Sequence, residues 1–344
     1  MSATVSSTAN EPRRAVAAWL LACCVLVFAM VVVGGATRLT HSGLSIVEWQ
    51  PLMGALPPLD EAQWAETFAK YKLTPEFRLR NHDMRIEGFK SIFWWEYFHR
   101  LLGRLIGAAF FVPFLYFLLR GRLDRPLVGK LAGIFVLGAL QGGMGWYMVK
   151  SGLVDDPRVS QFRLTAHLGL ALLILAALFW VAHAILRPAP PATPSGLRHA
   201  GLAFVVLVFA MALTGGLVAG IRAGFAYNTW PLMNGDWIPP EILLIEPWWL
   251  NFGYNMATVQ FVHRALALAV LAGAWLLAWR VLVSRTTTAE SRLAAGTLAL
   301  VTLLQVVLGI ATLLMVVPVG IATAHQGGAV VVLTAALWLA RSLR

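Results

Sequence analysis

Eight long apolar runs dominate this sequence and limit what it can fold into. Each run is about 20 residues or longer, which lets an α-helix cross a hydrocarbon layer roughly 30 Å thick. The remaining sequence is too short for a large soluble domain, so we expect an all-α polytopic membrane protein with eight transmembrane helices. The runs cover residues 15–36, 92–119, 127–149, 162–186, 198–220, 255–279, 293–316 and 319–340.

The distribution of charged residues indicates how the chain is oriented. A formal net charge of +11 on a soluble protein would raise the question of nucleic acid binding. Here 13 of the 27 Lys and Arg residues, but only three of the 16 Asp and Glu residues, lie in segments on the N-terminal side of the membrane. Because positive charge accumulates on the cytoplasmic side, we expect both termini in the cytoplasm and no nucleic acid partner.

The second half of the chain repeats the first. Because each half has an even number of helices, both halves enter the membrane from the same side. The repeat predicts two pseudo-symmetric four-helix bundles, an N-terminal one over residues 1–190 and a C-terminal one over residues 191–344. The matching residues are Gly34-Gly35 and Gly215-Gly216, His99-Arg100 and His263-Arg264, Gln141 with Gly145 and Gln305 with Gly309, and Ala166-His167 and Ala324-His325.

Four of the eight histidines occupy equivalent positions of this repeat, namely His99, His167, His263 and His325. Each lies one or two turns from the outer end of its helix, so we place all four at one depth toward the outer face. Two imidazoles on facing helices at equal depth form the axial ligands of a six-coordinate heme. A buried histidine can instead only hydrogen-bond to a neighbour, but this explanation needs the same coincidence four times. We interpret the four histidines as heme iron ligands, two in each half.

Glu96 breaks the symmetry between the halves. It precedes His99 by three residues and shares its helix face, whereas the residue three before His263 is Gln260. No other Asp or Glu lies inside a predicted span, and a buried carboxylate is costly unless it is paired or protonated. Glu96 therefore either takes part in chemistry beside the first heme or forms a structural contact, such as a salt bridge to Arg100.

An arginine follows the first histidine of each half. The guanidinium groups of Arg100 and Arg264 are candidates for charge-assisted pairs with heme propionates. An arginine near the end of a membrane helix can equally extend to the lipid headgroups. The asymmetry between the halves suggests chemistry in the first half and electron transfer through a cofactor in the second.

The outer segments carry two further patterns. Residues 60–71 predict a short helix on the outer surface, within the long loop 37–91. The ring of His41 in the same loop could approach an outer heme edge. Tryptophans of these segments suit the membrane interface, where an amphipathic ring is favoured; they are Trp49, Trp64, Trp230, Trp237, Trp248 and Trp249.

These motifs together resemble the heme A synthase family, membrane enzymes of cytochrome oxidase assembly that oxidise a methyl group of heme O to a formyl group. The resemblance spans nearly the whole chain. Some bacterial members carry a cysteine pair in the first outer loop, but residues 37–91 contain none, so this chain is more similar to the branch shared with mitochondria and α-proteobacteria. The motifs are Gly34-Gly35-Ala36-Thr37-Arg38-Leu39-Thr40, Arg80-Asn81-His82-Asp83-Met84, Glu96-Tyr97-Phe98-His99-Arg100 and the later histidines.

The resemblance implies roles for the site residues. His263 and His325 would hold a resident heme b, while His99 and His167 would flank the substrate heme O. Glu96 would take part in stepwise hydroxylation of the methyl group, with oxygen from water and electrons leaving through heme b. The resemblance also implies the bacterial inner membrane as location and proximity to the heme O synthase and other oxidase assembly factors. Self-association into a homo-oligomer stays open.

Other classes of protein explain only parts of this pattern. A bis-histidine di-heme cytochrome that only transfers electrons accounts for the four histidines but leaves Glu96 and the loop 37–91 without a role. A transporter built from parallel repeats needs broken helices at matching depths, and Pro113 and Pro318 do not match across the halves. A zinc site lacks its clustered Cys, His and carboxylate ligands, and a di-iron site lacks its several carboxylates.

Overall fold

The computed structural model describes residues 10–49, 53–153, 157, 159–187 and 194–343. Eight of its helices are long and apolar enough to cross a membrane, which confirms the predicted all-α polytopic fold class. The predicted boundary between the halves, at residues 190 and 191, lies outside the described residues. In chain order the eight helices are α1 (Asn10–Leu39), α2 (Ile86–Leu119), α3 (Arg125–Gly152), α4 (Gln161–Leu186), α5 (Ser195–Gly220), α6 (Met256–Val283), α7 (Ala289–Leu314) and α8 (Val319–Ser342).

Most helix ends lie within a few residues of the predicted spans, and two of the differences have a clear physical reason. Helix α2 begins at Ile86, six residues before the predicted start, because its first turns pack the fully buried ring of Phe89 against the outer loop. Helix α7 ends at Leu314, two residues earlier than predicted. Val316 and Val317 take φ values of +60° and +58°, which an α-helix of L-residues does not tolerate, and the chain turns there into α8.

Each helix packs against other helices of its own half. In the first half, α1 contacts α2 and α4, and α3 contacts α4; in the second half, α5 contacts α6 and α8, and α7 contacts both α6 and α8. Helices α2 and α3 touch over much less of their length than the equivalent pair α6 and α7. The first half is therefore more open on the side between α2 and α3. The pseudo-symmetric arrangement of two four-helix bundles stays a prediction.

The two halves meet along α1, α4, α5 and α8. A Cβ atom on Gly216 of α5 would lie 2.8 Å from Thr165 Oγ1 of α4, so only glycine allows these backbones to come so close. Small residues at such contacts are typical of membrane helices, where close packing replaces the hydrophobic effect. Leucines of α1, α4 and α8 are fully buried in the core; they are Leu20, Leu172, Leu178, Leu333 and Leu339.

The long outer loop contains the predicted short helix, which spans Glu61–Lys72. Its N-cap is Asp60, whose Oδ1 accepts a hydrogen bond from the Gln63 amide at 2.8 Å. Trp64 of this helix is only 9% exposed and packs edge-on against Phe93 of α2, with 4.9 Å between ring centroids. The prediction that Trp64 anchors the protein in the membrane interface is wrong, because its indole ring fills an aromatic cluster between the loop and α2.

Candidate functional site

The first histidine pair lies on α2 and α4, each ring against a glycine of a neighbouring helix. A Cβ atom on Gly34 of α1 would lie 2.9 Å from Cε1 of His99, and one on Gly145 of α3 would lie 3.1 Å from Cε1 of His167. A side chain at Gly34 would collide with its imidazole, and one at Gly145 would press tightly against its own. His99 and His167 are also close enough for their charges to interact, so the structure brings together the two residues that the sequence paired.

The second pair, on α6 and α8, has the same surroundings. A Cβ atom on Gly215 of α5 would lie 3.3 Å from Cε1 of His263, and one on Gly309 of α7 would lie 2.8 Å from Cε1 of His325. His263 and His325 again lie within electrostatic range of each other. Equivalent glycines and histidines of the repeat therefore form equivalent contacts in both halves.

Hydrogen bonds to Nδ1 of the imidazoles distinguish the second histidine pair from the first. Thr214 Oγ1 lies 2.8 Å from His263 Nδ1, and Gln305 Nε2 lies 3.1 Å from His325 Nδ1. Gln305 also donates to the carbonyl of His325 at 2.8 Å. In this half both imidazoles are held at Nδ1, so Nε2 of each ring faces away from these partners.

The first histidine pair lacks the hydrogen bonds at Nδ1 that the second pair has. Gln141 Nε2 lies 3.3 Å from His167, but at Nε2 rather than at Nδ1. The Nδ1 atoms of His99 and His167 are buried and have no hydrogen-bond partner in the part of the chain that the structure describes. The two halves thus have equivalent histidines but different hydrogen-bond partners at Nδ1.

Glu96 lies at the centre of a network that ties the outer loop to α2. The residue is 2% exposed. Its Oε2 accepts hydrogen bonds from the Ser45 hydroxyl and the Ile46 amide, both at 2.8 Å. Its Oε1 accepts from Arg100 Nε at 3.0 Å and from Nη2 at 2.6 Å. The structural contact predicted as one alternative, a salt bridge from Glu96 to Arg100, is present.

Gln260 forms the corresponding network in the second half. It is 3% exposed, its Nε2 donates to the Ala223 carbonyl at 2.8 Å, and its Oε1 accepts from Arg264 Nη2 at 3.0 Å. Arg264 Nη2 also donates to the Tyr227 carbonyl at 2.8 Å. An amide thus replaces the carboxylate here, so this network is uncharged at position 260.

Arg100 and Arg264 differ in the N–H groups that they have available for a propionate. Besides Glu96, the Arg100 guanidinium donates to the carbonyls of Ile46 and Glu48 at 2.7 and 2.9 Å, and it lies over the ring of Trp49. Arg264 keeps one buried nitrogen, Nε, without a hydrogen-bond partner among the described residues. The propionate contacts of both arginines stay predictions, and the geometry favours Arg264.

A basic cluster lies where the loop 37–91 meets the segment that follows α5. Arg222 Nη2 donates to His41 Nδ1 at 3.0 Å, and both residues take left-handed backbone conformations. Burial, together with the nearby Arg222 and Arg38, lowers the pKa of His41 to about 4, so the ring is neutral. His41 and Arg222 line a cavity of about 370 Å³. His41 thus contacts the second half, and its approach to a heme edge stays a prediction.

The residues present fit a heme in each half. Among the described residues, no three His, Cys, Asp or Glu side chains form a group that could hold a metal ion. Each half instead offers two imidazoles against glycine walls, and a porphyrin supplies the four remaining nitrogen ligands of a six-coordinate iron.

Sequence reasoning missed Thr214. A signal was available, because the glycine that contacts the first histidine of each half follows Thr214 in the second half and Val33 in the first. A hydroxyl that appears in only one copy of a repeat, next to a conserved contact of that repeat, indicates a function specific to that copy.

Fold and site together define a polytopic membrane protein with a bis-histidine site in each half. A family profile described as "Cytochrome oxidase assembly protein" matches residues 17–337. The chain belongs to this family.

Its relatives include proteins named heme A synthase. The one from Nitrosospira multiformis is 58% identical over 339 residues, which are 96% of this chain and 94% of the relative. The one from Nitrosomonas eutropha is 52% identical over 345 residues, with 98% and 96% covered. The one from Rhodospirillum centenum is 50% identical over 333 residues, with 96% and 89% covered.

Proposed function

We propose that this protein is a heme A synthase, a membrane oxidoreductase that converts heme O to heme A by oxidising a ring methyl group to a formyl group. The observation that carries this proposal is the buried carboxylate of Glu96 on the helix of the first histidine pair, where the second half has Gln260. The names of the relatives support the same conversion, because the similarity covers nearly the full length of each chain.

Heme b is the cofactor that we assign to the second half, with His263 and His325 as axial ligands and Arg264 beside its propionates. Bound there, heme b supplies a one-electron redox centre through which the electrons of the oxidation leave. The protein orients both imidazoles at Nδ1, which donates to the Thr214 hydroxyl at His263 and accepts from the Gln305 amide at His325. The acceptor at His263 Nδ1 leaves Nε2 of that ring free for iron, which suits a cofactor that stays bound between turnovers.

The substrate heme O is assigned to the first half, flanked by His99 and His167. Heme O is too apolar to reach the site through water. The sparse contact between α2 and α3 supports a lateral route from the lipid. The unpartnered Nδ1 atoms of both histidines support a ligand that binds and leaves.

The oxidation proceeds by stepwise hydroxylation of the methyl group. Each step adds an oxygen atom from water and releases two protons and two electrons, and loss of water after the second step leaves the aldehyde. A carboxylate next to the methyl group is suited to accept these protons. Both oxygens of Glu96 already accept hydrogen bonds, so a proton reaches Oε2 through Ser45, whose hydroxyl passes on its own hydrogen and takes up the incoming one.

We place the protein in the bacterial inner membrane, with both termini in the cytoplasm and both heme sites toward the outer face. The charge distribution of the sequence supports this orientation. The substrate is the product of a heme O synthase, so that enzyme and other oxidase assembly factors are the partners that we expect.

The test is extraction and chromatography of the hemes that copurify with the protein from cells that make heme O, together with a reduced-minus-oxidised spectrum. We expect heme b together with heme A or a hydroxylated heme O. Finding heme b alone at both sites, with no heme O or heme A, would contradict the proposal and favour a di-heme cytochrome that only transfers electrons.

A further inference from the structure

One hydroxyl group beside the second histidine pair distinguishes it from the first pair. Thr214 Oγ1 lies 2.7 Å from the Met211 carbonyl of its own helix and 2.8 Å from His263 Nδ1. A hydroxyl has a single hydrogen to donate and two lone pairs to accept with. Because that hydrogen is directed to Met211, the bond to the imidazole is accepted by Thr214 and donated by Nδ1.

This contact fixes the tautomer of His263. With its proton on Nδ1, a neutral imidazole carries its free lone pair on Nε2, the nitrogen that faces away from Thr214. An acceptor on Nδ1 also raises the basicity of the ring, which strengthens its bond to a ferric iron. Thr214 thus prepares His263 as a ligand before any heme is bound.

The first half has no hydroxyl group at the position equivalent to Thr214. The residue equivalent to Thr214 is Val33, which has no hydrogen-bonding group in its side chain. His99 stands in the same place as His263, against Gly34, yet its buried Nδ1 has no partner within the described part of the chain. The same ligand is therefore oriented in one half and left without a hydrogen bond in the other.

We propose that Thr214 is the positioning residue that retains heme b in the second half, and that Val33 leaves the first half able to exchange its heme. The inference rests on the proposed function, in which one heme stays and the other is converted and released. A site with a fixed tautomer and a more basic ligand holds its heme longer. A site without them releases its product at a lower energetic cost.

The experiment compares three variants of the full-length protein, each carrying His99→Ala so that the bound heme reports on the second half. Thr214→Val places the first-half residue in the second half, Thr214→Ser keeps the hydroxyl, and Thr302→Val is the control. The buried hydroxyl of Thr302 donates to the Leu298 carbonyl within its own helix. Two quantities are measured: the rate of heme transfer to apomyoglobin and the midpoint potential of the bound heme.

We expect Thr214→Val to release heme b about 10- to 100-fold faster than the His99→Ala parent, the range typical when a hydrogen bond to a metal-binding histidine is lost. We also expect a more positive potential, because a less basic ligand stabilises ferric iron less. Thr214→Ser should restore both values. If Thr214→Val matches Thr302→Val in both quantities, Thr214 is only structural and the inference is overturned. A parent protein without a b-type spectrum would instead overturn the proposed function itself.

Discussion

Glu96 and Gln260 occupy equivalent positions and contact equivalent parts of the two halves, but one is a carboxylate and the other is an amide. Each sits three residues before a histidine, is almost completely buried and contacts the arginine one turn later. Each also binds the segment that follows the first helix of its half, Glu96 through Ser45 and Gln260 through Ala223. Only the carboxylate can accept a proton, so the difference between the halves is one of reactivity rather than of support.

Glu96→Gln therefore tests chemistry with little change in shape. The amide keeps the acceptor for Arg100, as Gln260 does for Arg264, but its Nε2 would face the Ile46 amide donor, whereas Gln260 Nε2 meets the Ala223 carbonyl. The b-type spectrum of the second half is therefore recorded for each preparation, and heme A formation is compared between preparations that retain it. Removal of a general base typically lowers a rate about 10²- to 10⁴-fold, and heme A formation should fall by that range. Product chromatography measures it, with Glu66→Gln as the control because Glu66 forms an exposed ion pair with Lys70. Undiminished conversion by Glu96→Gln would remove Glu96 from the mechanism.

Glu76, on the short outer helix Pro75–Arg80, predicts that the free energy of unfolding depends on pH. Burial raises the pKa of Glu76 to about 7; Arg80, Arg38 and Arg222 oppose this effect and Glu96 adds to it. Because the folded pKa lies above the ordinary value of 4.5, its stabilising contribution is complete below that value and is lost as pH rises through 7.

We expect Glu76→Gln to abolish the loss of stability that the parent shows as the pH rises, because the amide imitates the neutral carboxyl group. The variant should match the parent at low pH and be more stable above neutrality, by a free energy of unfolding on the order of 3 kcal/mol. Thermal unfolding in detergent across the pH range measures this difference. Parallel curves for the two proteins at every pH would show that folding does not shift the pKa of Glu76.

The outer loop shows how an element can override the preference of a residue. Tryptophan in an outer segment of a membrane protein usually anchors at the interface, and Trp237 fits this expectation, being 75% exposed. Trp64 does not, because α2 extends beyond its apolar run and offers Phe89 and Phe93 as packing partners. Composition alone could not distinguish the two, since the outcome depends on where α2 begins.

Trp64→Ala and Trp237→Ala form a matched pair. Removing the buried indole ring leaves a cavity, so we expect Trp64→Ala to lower the free energy of unfolding by about 3 to 5 kcal/mol. Trp237→Ala should change it by less than about 0.5 kcal/mol, as surface substitutions do. Thermal unfolding and protease sensitivity of the outer loop report both effects. Equal destabilisation by the two variants would contradict the packing role of Trp64.

Glycines on α7 provide a second matched pair. A Cβ atom on Gly309 would lie 2.8 Å from His325 Cε1, whereas one on Gly296 would have no atom within 4 Å among the described residues. Gly309→Ala must displace the imidazole, so we expect at least a tenfold loss of bound heme b. Gly296→Ala should retain it. The heme-to-protein absorbance ratio checks this, and full retention by Gly309→Ala would argue against His325 as a ligand.

For the whole molecule, the sequence sufficed to predict the number of helices, because apolar length alone decides which segments can cross a membrane. The internal repeat also indicated which histidines would meet. It could not indicate that α2 and α3 touch sparingly while α6 and α7 pack closely, or that the first histidine pair lacks partners at Nδ1. These properties depend on side chains that differ between the halves, and a repeat is informative only about what the halves share.

The contact between His41 and Arg222 locates the axis that the internal repeat predicts. The two residues are 181 positions apart, the same offset that relates Gly34 to Gly215, so they are equivalent residues that touch each other. In a symmetric dimer, only residues at the twofold axis meet their own copies. The twofold axis that the repeat predicts between the halves therefore passes through this contact. An exchange of His41 and Arg222 would place the same two side chains on opposite sides of that axis.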